Sequence, residues 1–344
     1  MSIIIGLLII AFGAFCQSSC YVPINKIKSW SWESYWIVQG VFAWLVLPFL
    51  GALLAVPAGH SLCELFTASD SFNIWMTILF GVLWGVGGLT FGLSMRYLGV
   101  ALGQSIALGT CAGLGTIMGP VLLNIFFPEQ DALSQLTFAV ILGVVVTLIG
   151  IAIIGIAGSM KASSLSEEEK KAAVKDFNFP KGLAIALLCG FMSGCFNVGL
   201  EFGKDINFGE LTPDMYKTLP ATFLVTLGGF VTNAIYCFYQ NQKNGTWGDY
   251  SNTKVWGNNL VFCILAGALW YSQFFGLALG KGFLTDSPVL MTLSFCILMA
   301  LNVVFSNLWG IILNEWKGCS KQTITVLVVG IIVLVISCFL PQLI

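Results

Sequence analysis

Three sets of polar side chains recur at helical spacing inside apolar runs. Ser193, Asn197 and Glu201 follow one another every four residues, Asn302, Ser306 and Trp309 stand at i, i+4 and i+7, and Thr222, Thr226 and Asn233 form a similar stripe. Trp270 and Gln273 lie three apart in the middle of another run, Trp84 in the middle of a further one, Gln17 beside Ser18 in the first, and Gln104 in the fourth. Spacings of three, four and seven put such residues on one face of a helix. In hydrocarbon that face turns to the bundle interior or to a cavity, because polar groups there are costly. Amides and hydroxyls both donate and accept, and an indole offers a flat apolar face with one N–H. This inventory suits a neutral, hydroxyl-rich solute. No Lys or Arg stands in the middle third of any run, so the counter-charge an anionic substrate would call for is missing. For each amide taken alone, a helix–helix hydrogen bond is an equal reading. Taken as a set, they point to a polar cavity, with Gln17, Trp84, Gln104, Asn197, Trp270, Gln273 and Asn302 as candidate substrate contacts.

Coupling to protons would require a carboxylate whose proton affinity is raised by burial. Glu201 on the polar face of its run is the first candidate and Asp286, just before the ninth run, the second. Glu33 opens the second run, where a carboxylate simply complements a helix N-terminus, and Glu315 ends the ninth. No metal site is expected. The eleven cysteines include no CxxC and no Cys/His cluster, and their places inside apolar runs suit small packing residues. The single histidine, His60, sits in a loop and reads as structural. The sequence calls for no cofactor.

The elements that carry these residues follow from composition. The chain is 57% hydrophobic and 9% charged, far below the roughly 25% charge of a soluble domain. Apolar runs of membrane-crossing length recur from end to end. They span about 3–20, 35–57, 72–94, 99–123, 136–158, 181–201, 218–240, 258–280, 288–313 and 322–342. The expected fold is therefore an all-α polytopic membrane protein with ten transmembrane helices. The alternation of a β-barrel is absent, the first run lacks the basic flank and cleavage site of a signal peptide, and no basic patch suits nucleic acid. Nothing in the sequence sets an oligomeric state. Trp30, Trp32, Trp36 and Trp75, near run ends, read as interfacial anchors.

The chain also repeats itself. Gly81 and Trp84 recur as Gly267 and Trp270, the same 186 residues on, with Leu93 matching Leu279 and a basic residue after each, Arg96 and Lys281. GLLIIAFGAF from Gly6 resembles GLAIALLCGF from Gly182, and LGVVVTLIG from Leu142 resembles VGIIVLVIS from Val329. The expected organisation is a first five-helix repeat over 1–158, a charged linker over 159–180 and a second five-helix repeat over 181–344. Five is odd, so the second repeat would enter the membrane inverted, as in many secondary transporters with a midplane site. Of the fifteen Lys and Arg, twelve lie in odd-numbered loops and three in even ones. The positive-inside rule then puts the linker in the cytoplasm and both termini outside. Glycines at close spacing in the fourth run, Gly99 to Gly119, are a packing signal.

Several strings resemble a known family. YVPINKIKSWSWES (Tyr21 to Ser34), MRYLG (Met95 to Gly99), LWYSQFF (Leu269 to Phe275) and NEW (Asn314 to Trp316) are similar to the bacterial L-rhamnose–proton symporter family of the drug/metabolite transporter superfamily. The likeness runs over essentially the whole chain. It implies import of L-rhamnose, a neutral 6-deoxy sugar, with a proton across the bacterial inner membrane by alternating access, and an apolar wall for the sugar's methyl. It assigns no individual residue. Export or exchange of another small neutral metabolite is the alternative carrier. A membrane-embedded enzyme would need acidic metal-binding clusters, and a receptor a soluble signalling domain; neither is present in the sequence.

Overall fold

In the computed structural model the described residues are 2–98, 100–164, 178–313 and 316–340. Among them there is no strand, and ten helices are long and apolar enough to cross a membrane. They are α1 (Ser2–Ser19), α2 (Trp32–Leu53), α3 (Ser71–Leu98), α4 (Val100–Phe126), α5 (Phe138–Ser163), α6 (Phe179–Phe202), α7 (Leu219–Asn244), α8 (Thr253–Lys281), α9 (Pro288–Ile312) and α10 (Lys321–Phe339). Most of the charged linker, residues 165–177, lies outside the described residues, as do Gly99 and Glu315.

These helices turn apolar side chains outward as well as inward, as membrane helices do. On α1, Ile4, Leu8 and Phe12 are exposed at four-residue spacing, while Leu7, Ile10 and Ala14 on the other face are buried. The ends are marked chemically. Thr137, Ser287 and Ser320 cap α5, α9 and α10 by accepting from the amides of Val140, Leu290 and Thr323. Gly245, at φ +68°, ends α7 in the left-handed conformation that glycine takes most readily.

The chain forms two compact units: Met1–Gly85 with Gly199–Thr285, and Val86–Val198 with Asp286–Ile344. Each draws on both halves of the sequence; two of the three divisions fall inside helices, α3 and α6, and the third in the turn between α8 and α9. In the first unit α1 lies along α8, and α2 packs on both α7 and α8. In the second, α5 packs on α4 and α10, and α9 on α4, α5 and α10.

Two features were not visible beforehand. A short helix, Leu62–Ala68, capped by Ser61, buries Leu62 and Leu65 against Ile206 and Leu224. His60 precedes it, 2.9 Å from Glu64 and ring to ring with Phe208. The second feature is a π-helical turn, Val41–Val46, in the middle of α2. The Leu47 amide bonds back to the Phe42 carbonyl, five residues earlier. Pro48 follows at once; it has no N–H to return to the Trp44 carbonyl, and its ring crowds that carbonyl. Such turns collect at functional sites.

Candidate functional site

In the first unit the π-turn presents Trp44 to Trp84 of α3 and Trp270 of α8. The three indoles touch pairwise: Trp44 meets Trp84 edge-on at 6.1 Å and Trp270 edge-on at 5.9 Å, and Trp84 and Trp270 lie tilted at 5.6 Å. The two tryptophans matched by the internal repeat are thus in contact. Glycines make the room. A side chain at Gly229 would fall on the Trp84 ring, and one at Gly40 on the Trp44 ring. Outward along α2 the aromatic column continues through Trp36, 5.6 Å from Trp44, to Trp32, stacked on Trp36 at 5.2 Å. Trp36 donates its indole N–H to Asn233 Oδ1 at 3.0 Å, and Asn233 donates to the Gly229 carbonyl.

Polar atoms in this unit lack partners. Trp44 Nε1, Gln39 Oε1 and the Tyr271 hydroxyl are buried without a hydrogen bond. Trp30 Nε1 and Asn73 Oδ1 of the same unit are also unmet, and leaving such groups unmet costs about 1–3 kcal/mol each; of the first three, Trp44 stands in the indole cluster. Sequence reasoning missed all three. Pro48 in mid-run was the signal that could have found Trp44, because a proline there displaces the local hydrogen bonds.

The other candidates are distributed as follows. Gln273 is buried on α8, one turn from Trp270. A side chain at Gly13 would meet the Ser272 carbonyl and Gln273 Cα, so α1 runs against this part of α8, with half-buried Gln17 one turn further along α1. Glu201, half-buried, ends α6 in the same unit. Asn197 and Asn302 are buried in the second unit. Asn197 donates to the Gly115 carbonyl at 2.8 Å and so ties α6 to α4, while its Oδ1 is buried and unpartnered. The side chains of Gln104 and Arg96 lie outside what is described. Asp286 is exposed, in the turn before α9. Thr222 and Thr226 bond carbonyls of their own stretch, Thr218 and Phe223, whereas Asn233 of the same stripe accepts from Trp36 of α2. Trp75 is 69% exposed, as an anchor would be, but Trp30 is buried. All eleven cysteines are free and nine are buried. Among the described residues no cluster of three metal ligands occurs.

The second unit also holds an open cleft of about 830 Å³ between α4, α5 and the start of α10. Hydroxyls rim it, but Ser163 and Ser164 donate to carbonyls of their own helix, and Ser320 caps α10. Asn197 and Asn302 do not line it.

Ten membrane-crossing helices with buried amides, hydroxyls and indoles among the described residues suit the class of membrane carriers of small polar solutes. The comparison with known proteins agrees and goes further. The family described as L-rhamnose-proton symport protein (RhaT) matches residues 1–343, and the chain belongs to this family. Similar curated proteins include the L-rhamnose-proton symporters of Yersinia pestis (strain Pestoides F) and Yersinia pseudotuberculosis (serotype O:1b). Each is 31% identical over 98% of this chain and 96% of the relative.

Proposed function

We propose that the chain is a secondary carrier, not an enzyme, that brings L-rhamnose into the cell together with protons across the bacterial inner membrane. The proposal rests on family membership, and the observation in the fold that supports it is the indole cluster of Trp44, Trp84 and Trp270. Indole faces suit the C–H face and methyl of a 6-deoxy sugar. Gln39, Tyr271 and Gln273 supply amide and hydroxyl partners for its hydroxyls. Gln17, Gln104, Asn197 and Asn302 remain proposed sugar contacts, and Glu201 and Asp286 proposed proton carriers. Export of another neutral solute is not favoured by the relatives.

The repeat reading, 1–158 and 181–344 in opposite orientations, gains support from paired contacts. A side chain at Gly81 would strike the Val225 carbonyl, and one at Gly267 would meet the Gln39 carbonyl at 3.0 Å. Gly267 follows Gly81, and Val225 follows Gln39, by the same 186 residues. Two repeats related by a two-fold axis make contacts in such swapped pairs, and alternating access is rocking about a site near that axis. With the lysine distribution, this reading puts the termini outside and the linker in the cytoplasm.

The test is uptake of labelled L-rhamnose by cells that lack their own carrier and express this chain, with and without a protonophore. Uptake above empty cells, lost with the protonophore, is expected. Uptake that the protonophore leaves intact would contradict proton coupling, and none above empty cells would contradict the substrate.

A further inference from the structure

Glu33 is the one buried carboxylate among the described residues, 5% exposed at the first turn of α2. The ion pairs among those residues, His60–Glu64 and Lys217–Asp214, do not involve it. Its partners are neutral. Glu33 Oε1 accepts from Asn244 Nδ2 at 2.9 Å and lies 2.9 Å from Thr246 Oγ1. The same Thr246 hydroxyl is 3.0 Å from Asn241 Oδ1. A hydroxyl has one proton, so it serves one of these acceptors at a time. With Glu33 ionised, Thr246 donates to the carboxylate. With Glu33 protonated, its own O–H can donate to Thr246, which then turns to Asn241. Asn241 Oδ1 loses nothing in either case, since Ser34 already donates to it at 3.0 Å. The network therefore accommodates both protonation states without leaving a buried group unpaired.

The network also leads outward and inward. From Asn241 it passes through Ser34 and Ser31, 2.9 Å apart, to Asp249, which accepts from the Ser31 hydroxyl at 2.6 Å and the Ser31 amide at 2.8 Å. Inward, α2 carries Glu33, Trp36 and Trp44 in succession, and Asn233 of α7 holds Trp36. The titratable groups facing Glu33 are Asp249 from the α7–α8 connection and Cys237 from α7. Tyr250 in turn faces Asp249 and Cys237. The helix that opens with Glu33 is thus the one that carries the π-turn and Trp44.

We propose that Glu33 is the group that takes up and gives up the coupled proton, and that Asn244 and Thr246 are positioning residues that tie its charge state to the α7–α8 connection. The proposal rests on the symport reading above and assigns the proton to Glu33 in preference to Glu201 and Asp286. An ionised Glu33 holds both donors. A neutral one holds them more weakly, since charge-assisted hydrogen bonds are about twice as strong as neutral ones. Protonation therefore loosens the connection where α2 and α7 meet.

The test uses the full chain purified into liposomes, with two assays. One is accumulation of labelled L-rhamnose driven by an imposed inward proton gradient; the other is rhamnose counterflow at equal pH, which needs no net proton movement. Glu33→Gln is expected to lose gradient-driven accumulation at least tenfold and to keep counterflow. Exposed Glu210→Gln serves as comparator and is expected to keep both. Thr246→Val removes one donor to the carboxylate and is expected to move the pH of half-maximal uptake upward, by about one unit. Glu33→Gln that still accumulates sugar in proportion to the proton gradient would overturn the assignment, as would loss of coupling in Glu201→Gln with Glu33→Gln intact. If Glu33→Gln loses counterflow as well, the Thr246→Val profile decides, and an unmoved profile overturns the proposal. Wild-type protein that accumulates nothing under the gradient would instead overturn the symport reading itself.

Discussion

Replacing Trp270 by Ala tests the sugar site most sharply. Its ring meets Trp84 at 5.6 Å, Trp44 at 5.9 Å and Phe274 at 5.2 Å. Each such pair contributes about 0.5–1.5 kcal/mol beyond the area it buries. Losing three costs about 1.5–4.5 kcal/mol of stability, comparable with large-to-small core substitutions. The sugar loses one apolar face, worth about 1.4 kcal/mol if it resembles one aromatic pair, or about tenfold in affinity. The assay is initial uptake rate against L-rhamnose concentration, corrected for protein in the membrane. Half-saturation is expected to rise about tenfold in Trp270→Ala, with Trp270→Phe between it and wild type because the ring face is kept. Trp75, 69% exposed, provides the comparison: Trp75→Ala is expected to change half-saturation less than twofold. Trp270→Ala with wild-type half-saturation, or Trp75→Ala equally impaired, would refute the placement of the sugar against these indoles.

Three further outcomes follow. Gly81→Ala drives a methyl into the Val225 backbone and is expected to lower the melting temperature in detergent by several degrees, whereas Gly88→Ala, with open space around it, is expected to leave it unchanged. Asn197→Ala breaks the bond to the Gly115 carbonyl and is expected to cost about 0.6–1.7 kcal/mol of stability, read as a melting shift; if its Oδ1 also contacts sugar, half-saturation rises as well. Burial alone would raise the proton affinity of Asp249, yet the Ser31 hydroxyl and amide hold its carboxyl below the usual carboxylate value. A depressed value means stabilisation that is present above the ordinary carboxylate range and is lost as pH falls through the native value. Protection of residues 246–251 against hydrogen exchange, taken relative to the intrinsic rate at each pH, is therefore expected to fall in acid in wild type. In Asp249→Asn protection is expected to be low already at neutral pH, and equal protection in the two proteins at neutral pH would count against this role.

Much of the architecture could be read from residue order, because a membrane helix needs only length and apolarity, and both are local. Trp84, Trp270 and Gln273 could be found for the same reason: polar and aromatic side chains in mid-run stand out against Leu, Ile and Val. The π-turn could not be read from hydrophobicity, since VFAWLV is as apolar as its neighbours; only Pro48 hinted at it. Trp44 was therefore passed over, and its place in the indole cluster depends on Gly40 and Gly229 leaving room for the rings. Glu33 was read as the carboxylate of an ordinary helix start. Its burial comes from Asn244 and Thr246, more than two hundred residues away, which a reading along the chain does not bring together. Trp30 was misplaced at the lipid boundary for the same reason, because it is covered by Tyr250 and Trp256.

In a symporter sugar and proton cross together. The most direct measurement is the pH of a lightly buffered, de-energised suspension of expressing cells as L-rhamnose is added. Alkalinisation of the medium is expected to begin with the sugar, to be absent with a non-substrate sugar and to disappear with a protonophore. Sugar entry with no change in external pH, from protein shown to be in the membrane, would contradict symport.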